Sequence, residues 1–354
     1  MSAVAGGRML YLWWRMEEEG RRRVWSLYGW FCGLMVCGSC FGAVTWAARM
    51  MNLGNLFISG DAFSKGDRVQ QFLLVALSEN WSAVFHVMYA IDFLCLSAAR
   101  LMVLERMSEF AAGQDEVARK RWAAGGRIVM AVVVLGNTVG LAANVAVALR
   151  LQRAAEASST ASALFAANST QAANENVSLS QTEVQLSLSI AAVQSFCEVA
   201  VLLLIVAAFV VAGVECTRVV RSLLHTLRHL AVDAASVSAA AGRELRRRMV
   251  VTTAVVFVAF VVRSVQSTMI AVARQLQDGT NICAGVTSPC DASCFNLFTH
   301  IQQWAVRTPE FQVTIVLVSS PLTLLVALWG MTSRQMLQAI KSMEQEVISL
   351  RQRV

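Results

Sequence analysis

The sequence predicts an all-α fold, a polytopic helical bundle of six transmembrane helices with both termini in the cytosol. Three observations carry this prediction. The chain of 354 residues is 56% hydrophobic and only 15% charged, with three prolines, a composition typical of helical membrane proteins. Its apolar residues gather into six runs that can cross a hydrocarbon core of about 30 Å at about 1.5 Å rise per residue. Its basic residues gather at alternate ends of those runs. Of the lysines and arginines in the termini, the connections and at the span ends, 21 fall on one side and seven on the other, which makes the richer side cytosolic.

Residues 1–24 form a cytosolic N-terminal segment, 25–332 the membrane bundle and 333–354 a cytosolic amphipathic tail. The first span, 24–47, is uncharged, and Gly33, Gly38 and Gly42 permit close helix approach. Residues 48–70 read as a polar connection. The second span, 82–104, holds His86, Asp92 and Arg100, with His86 in a structural role and a helix that can start near residue 69. A charged loop, 105–126, leads to the third span, 127–149. There Gly136 and Gly140 have GxxxG spacing, and Asn137 and Asn144, seven apart, share a face.

Residues 150–187 are rich in Ala, Ser, Thr and Asn without apolar periodicity, and read as a mobile loop. The fourth span, 188–214, carries Gln194 and Glu198 on one face, and its helix continues into the cytosol before an Ala/Ser linker at 234–242. The fifth span, 249–273, follows the basic cluster Arg243, Arg246, Arg247 and Arg248 and encloses one charge, Arg263. The sixth, 310–331, opens on Thr308-Pro309-Glu310, a favourable helix start, and is expected to kink at Pro321. In the tail, Met336, Ile340, Met343, Val347 and Leu350 form a short apolar seam.

The charges inside the spans are the candidate functional residues. Asp92, Glu198 and Arg263 fall at similar depth, roughly 15–17 Å from the outer helix ends, with Asn137 close to that level. This intramembrane polar cluster has two readings of similar weight. In one, Arg263 pairs with a carboxylate and locks the bundle. In the other, the surplus carboxylate faces a cavity that takes a small ligand, an ion or a proton.

The outer side carries two further sets. Asn168 and Asn176 head glycosylation sequons, while Asn80 heads another too near a span to be a good acceptor. Cys283, Cys290 and Cys294 crowd one loop and are disulfide candidates. The other six cysteines, in or beside apolar segments, are expected as small buried side chains. His225 and His229 are four apart without an evident third ligand, so no metal or cofactor is expected. Nothing matches a zinc-protease, nucleophile-elbow or P-loop motif, so no enzyme is expected either. The formal charge of +7 comes from residues flanking apolar runs, which points to lipid headgroups rather than nucleic acid.

The stretch GRELRRRMVVTTAVVFVAFVVRSV resembles the corresponding segment of the plant tobamovirus multiplication protein family, through Arg243, Leu245, Arg246, Thr252, Thr253, Phe260 and Arg263. VLVSSPLTLLVALWG is similar to that family's final helix, and FHVM, from Phe85 to Met88, to a phrase in an early span. The resemblance covers about a quarter of the chain. It implies a seven-helix fold like that of G-protein-coupled receptors, in an intracellular membrane protein recruited into viral replication complexes. With six spans here, alignment from the C-terminus leaves the family's first helix missing, and the cysteine loop is a further departure.

The expected function is a multi-pass membrane protein of the plasma membrane or endomembrane system with a receptor-like or scaffold role. Its partners would be the lipid bilayer and a cytosolic protein bound through loop 216–248. The alternatives are a transporter or channel subunit using Asp92, Glu198 and Arg263, or a structural membrane adaptor.

Overall fold

The computed structural model describes residues 18–112, 116–230 and 261–272, with isolated positions in 247–259 and at 300–301. Every regular element among them is helical. Four long helices follow in order: α1 (Glu18–Ser64), α2 (Arg68–Ala112), α3 (Glu116–Ala166) and α4 (Thr170–Leu230). A further helical stretch, α5, covers 261–272. The four long helices are each apolar and long enough to cross a membrane. The expected sixth span, its Pro321 kink, the 234–242 linker and the tail seam lie outside the described residues.

Three connections expected from the sequence are corrected. Residues 48–70 are mostly helix: α1 runs on to Ser64, and only a three-residue turn precedes α2. The charged stretch 105–126 is largely helical, because α2 continues to Ala112 and α3 starts at Glu116. The largest correction concerns 150–187, which is no loop but a helical hairpin. Its alanines favour helix, and its buried positions, Leu151, Ala154, Ser158, Ala161 and Ser162, recur at helical spacing. The periodicity is carried by small residues, so an apolar pattern of large side chains does not reveal it.

Both turns have the same chemistry. At the end of α1 the Asp67 amide donates to Ala62 O and the Gly66 amide to Phe63 O, with Gly66 at φ 73°. At the end of α3 the Ser169 amide donates to Leu164 O and the Asn168 amide to Phe165 O, with Asn168 at φ 57°. Each is a Schellman closure with its left-handed residue at C′. Asp67 then caps α2, its Oδ1 accepting from the Gln70 amide at 3.0 Å.

The chain divides into two compact units, and α2, α3 and α4 contribute to both. The first takes the described residues of Met1–Ser97, Val134–Val201 and Val265–Gln312. Within it α2 is the hub. It meets α1 where the Asn52 amide donates to Ser78 O and Oγ, at 2.8 and 2.9 Å. It meets α3 where Phe72 stacks on Phe165 with centroids 5.3 Å apart, and where Ser162 Oγ donates to Val69 O. An apolar core of Ala83, Val147, Ala148, Leu151 and Ala191 joins α2, α3 and α4.

The second unit takes the described residues of Ala98–Val133, Leu202–Ser264 and Val313–Val354. Its buried residues are mostly aliphatic, among them Val103, Leu104, Val133, Leu202, Ile205 and Phe209, with Arg100 also fully enclosed.

Burial along these helices suits a lipid environment. On α3, Ile128, Val132, Leu135 and Val139 form an exposed stripe at helical spacing, and on α4 so do Val193, Phe196, Leu203, Val211 and Val214. Asn144, Gln194, Glu198 and several serines are buried instead. Polar groups inside and aliphatic groups outside suit a hydrocarbon solvent, where a polar side chain must find its partner within the protein. Cysteines follow the same partition. Cys32, Cys95 and Cys216 are buried and Cys197 half-buried, but Cys37 and Cys40, expected inside, are exposed.

Candidate intramembrane polar site

Glu198, on the buried face of α4, is the centre of the site. Among its contacts are side-chain hydrogen bonds from donors on three helices. Tyr89 Oη of α2 donates at 2.6 Å, Ser267 Oγ of α5 at 3.2 Å and Gln194 Nε2, one turn earlier on α4, at 3.3 Å. Each of these contacts has its own donor hydrogen. The whole arrangement lies within the first unit.

Close helix approach brings this site together. Gly136 of α3 sits so near α4 that a Cβ placed on it would lie 2.4 Å from Val201 Cγ2. Gly140, the other half of the GxxxG pair, has open space where its Cβ would be. The glycine pair expected as a unit is thus one obligatory glycine and one permissive position. Between α2, α3 and α4 a narrow crevice remains, lined by Tyr89, Gly136, Asn137, Asn144, Gln194 and Glu198 among others. It has room for about one water molecule. The amide oxygen of Asn137 is buried and has no hydrogen-bond partner among the described residues, which makes it a natural anchor for that water.

The expected cluster is therefore assembled in part. Asn137 and Glu198 line one crevice, and Asn137 and Asn144 do share a face. Asp92 does not line it. Its carboxylate lies over the glycine face of α1, where Cβ atoms on Gly38 and Gly42 would come within 3.3 and 3.4 Å of its oxygens. Arg263 is buried on α5, one turn before Ser267, and belongs to the second unit. His86, expected in a structural role, has Nδ1 3.0 Å from Asn144 Oδ1. Tyr89 was not among the expected site residues. The signal was available, because a tyrosine three residues before Asp92 within an apolar run needs a partner for its hydroxyl.

Of the modification sites, Asn168 is exposed in the α3–α4 turn, whereas Asn176 is half-buried on α4 with its amide bonded to Ala172 O. Asn80 is exposed on the body of α2. Cys283, Cys290 and Cys294 lie outside the described residues. Among the described residues no group of three or more His, Cys, Asp or Glu side chains is arranged to hold a metal ion.

Comparison of the chain with family models, with curated proteins and with solved structures finds no match.

Proposed function

We propose that this protein is a multi-pass membrane scaffold of receptor-like architecture, with six spans, both termini cytosolic, and a partner-binding surface in 216–248. The observation that carries the proposal is the continuity of α4. It runs unbroken for 61 residues, about 90 Å, roughly three times the thickness of a hydrocarbon core. One helix thus links the outer hairpin turn, the polar site at Glu198 and the cytosolic stretch that bears exposed Arg218 and Arg221. A continuous helix that long suits a protein that holds partners at a membrane. Under this topology the surplus of α1 to α4 forms a helical extension of roughly 20–27 Å on the outer side.

A photo-crosslinking residue at position 221 of the full chain, introduced in cells, tests the reading. Capture of a discrete cytosolic protein, lost in Arg218→Glu, supports it. Crosslinks to lipid alone would remove it.

The crevice at Glu198 favours a second reading, a pathway for water or protons. Its size and its Asn137 oxygen suit a water-sized guest rather than a solute. Proton flux through protein reconstituted in liposomes, abolished by Glu198→Gln, would establish this reading over the first. Equal leak in wild type and variant would dismiss it.

A further inference from the structure

The buried carboxyl of Glu79 stands apart from the site at Glu198. Glu79 lies on α2, outside the second span as read from the sequence. Ser158 of α3 and Ser180 of α4 enclose it, and all three residues are buried. Ser158 Oγ is 3.1 Å from Glu79 Oε2, Ser180 Oγ is 3.2 Å from Glu79 Oε1, and the two serine oxygens are 2.9 Å apart. The three contacts close a ring.

Counting hydrogens decides the protonation state. Each serine supplies one hydroxyl hydrogen. If Glu79 is ionised, two hydrogens must serve three oxygen–oxygen contacts. One contact is then left with lone pairs facing each other in a buried site. If Glu79 is protonated, there are three hydrogens for three contacts. The carboxyl hydroxyl donates to one serine, that serine to the other, and the second serine back to the carbonyl oxygen. At Glu198, by contrast, the tyrosine, glutamine and serine donors each bring a hydrogen of their own.

The described residues supply no compensating cation. Among the described residues Glu79 has hydrogen bonds to Ser158 and Ser180 and no ion pair. The charged and titratable groups on the surrounding helices are otherwise engaged or exposed. Arg150 of α3 pairs with Glu183 of α4 at 3.0 Å. Arg153 and Glu156 of α3 and Glu175 of α4 are exposed. On α1, Arg49 donates to Asn52 and Lys65 pairs with Asp61, while on α2 His86 contacts Asn144. An ionised carboxylate buried with no counter-charge is strongly disfavoured.

We propose that Glu79 is a proton-binding site, holding one proton that closes a ring of three hydrogen bonds with Ser158 and Ser180 and ties α2 to α3 and α4. Loss of that proton leaves the ring one hydrogen short and loosens the junction of the three helices. The site is a proton-operated clamp in the part of the bundle nearest the two turns.

Infrared difference spectroscopy on the full chain in lipid nanodiscs tests this. The wild type minus Glu79→Gln spectrum at mildly acidic pH should contain a carboxylic acid C=O band that moves on transfer to heavy water. The glutamine amide can make the same three bonds, so this variant should fold. Ser180→Ala gives an independent check, because it keeps the band but shifts it by removing one of the two hydrogen-bond partners of the carboxyl group. The unfolding midpoint should also respond. A carboxyl held neutral when folded and ionised when unfolded loses stability as pH rises, so the wild-type midpoint should fall from acidic to alkaline pH relative to that of Glu79→Gln. Carboxylate bands in place of the acid band at mildly acidic pH, a band indifferent to Ser180→Ala, or midpoints that move in parallel would each overturn the proposal.

Discussion

Gly136 and Gly140 show how far one residue can matter in this bundle. Both have the same spacing signature, but only Gly136 lies where a methyl group would overlap Val201. Overpacking of this kind costs about 1–3 kcal/mol. Gly136→Ala should therefore lower the unfolding midpoint in detergent clearly, and Gly140→Ala should leave it nearly unchanged. Equal effects would mean that α3 and α4 are not in contact at this level. Tyr89 gives a second test. Its hydroxyl reaches Glu198 at 2.6 Å from another helix, so Tyr89→Phe removes that bond and leaves the carboxyl one donor short. The expected cost is about 1–3 kcal/mol, read as a lower midpoint, and Glu198→Gln in the Tyr89→Phe background should add less than it does alone. Fully additive losses would dismiss the coupling. At this scale the sequence was partly informative. Glu198, Gln194 and Asn137 stood out as polar residues in apolar runs, while the partner of each depended on which helix faced which.

At the scale of elements, the hairpin turns are the points of greatest local constraint. Gly66 has φ 73°, where a Cβ is strained, so Gly66→Ala should destabilise by about 1–2 kcal/mol, and Gly66→Asn by less. A thermal melt of both variants checks the order. The α3–α4 turn also separates the two sequons. Asn168 is exposed in a turn, whereas Asn176 is half-buried with its amide bonded within α4. Endoglycosidase treatment should shift the wild type and Asn176→Gln but not Asn168→Gln. The reverse pattern would show that α4 is not helical at this end during glycan transfer. The hairpin from 150 to 187 was the least legible element. Apart from Leu151 and Phe165 its packing face is mostly alanine and serine, small residues that leave no pattern of large apolar side chains. On α4 the buried positions Ala173, Ser180, Ser187, Gln194 and Val201 recur every seven residues, as do Ala191, Glu198, Ile205 and Ala212. That repeat was present in the chain, written in residues that composition alone assigns to loops.

For the molecule as a whole, the arrangement in the membrane is the property to test. The proposed topology, read from the bias of basic residues, has both termini on one side and the α3–α4 turn on the other. Epitope tags at either end should be protected in sealed, right-side-out vesicles, while a tag inserted after Asn168 should be accessible. A terminal tag exposed on the outside would overturn the topology and move the proposed partner surface at 216–248 away from the cytosol. The sequence by itself determined the class. Long apolar runs, few charges and few prolines permit little besides membrane-crossing helices, because each backbone polar group must be satisfied within its own segment. It also singled out Glu198, Gln194 and Arg263, which are buried, since a polar group in an apolar run has no other solvent. Only the tertiary structure decided that the connections are helical, that Glu198 is met by Tyr89 and Ser267, that Asp92 turns to α1, and that Glu79 lies between two serines. Those outcomes depend on the relative rotation and register of whole helices. Small side chains such as glycine, alanine and serine set that rotation through contact distances of a few ångströms, and such distances exist only once the helices have packed.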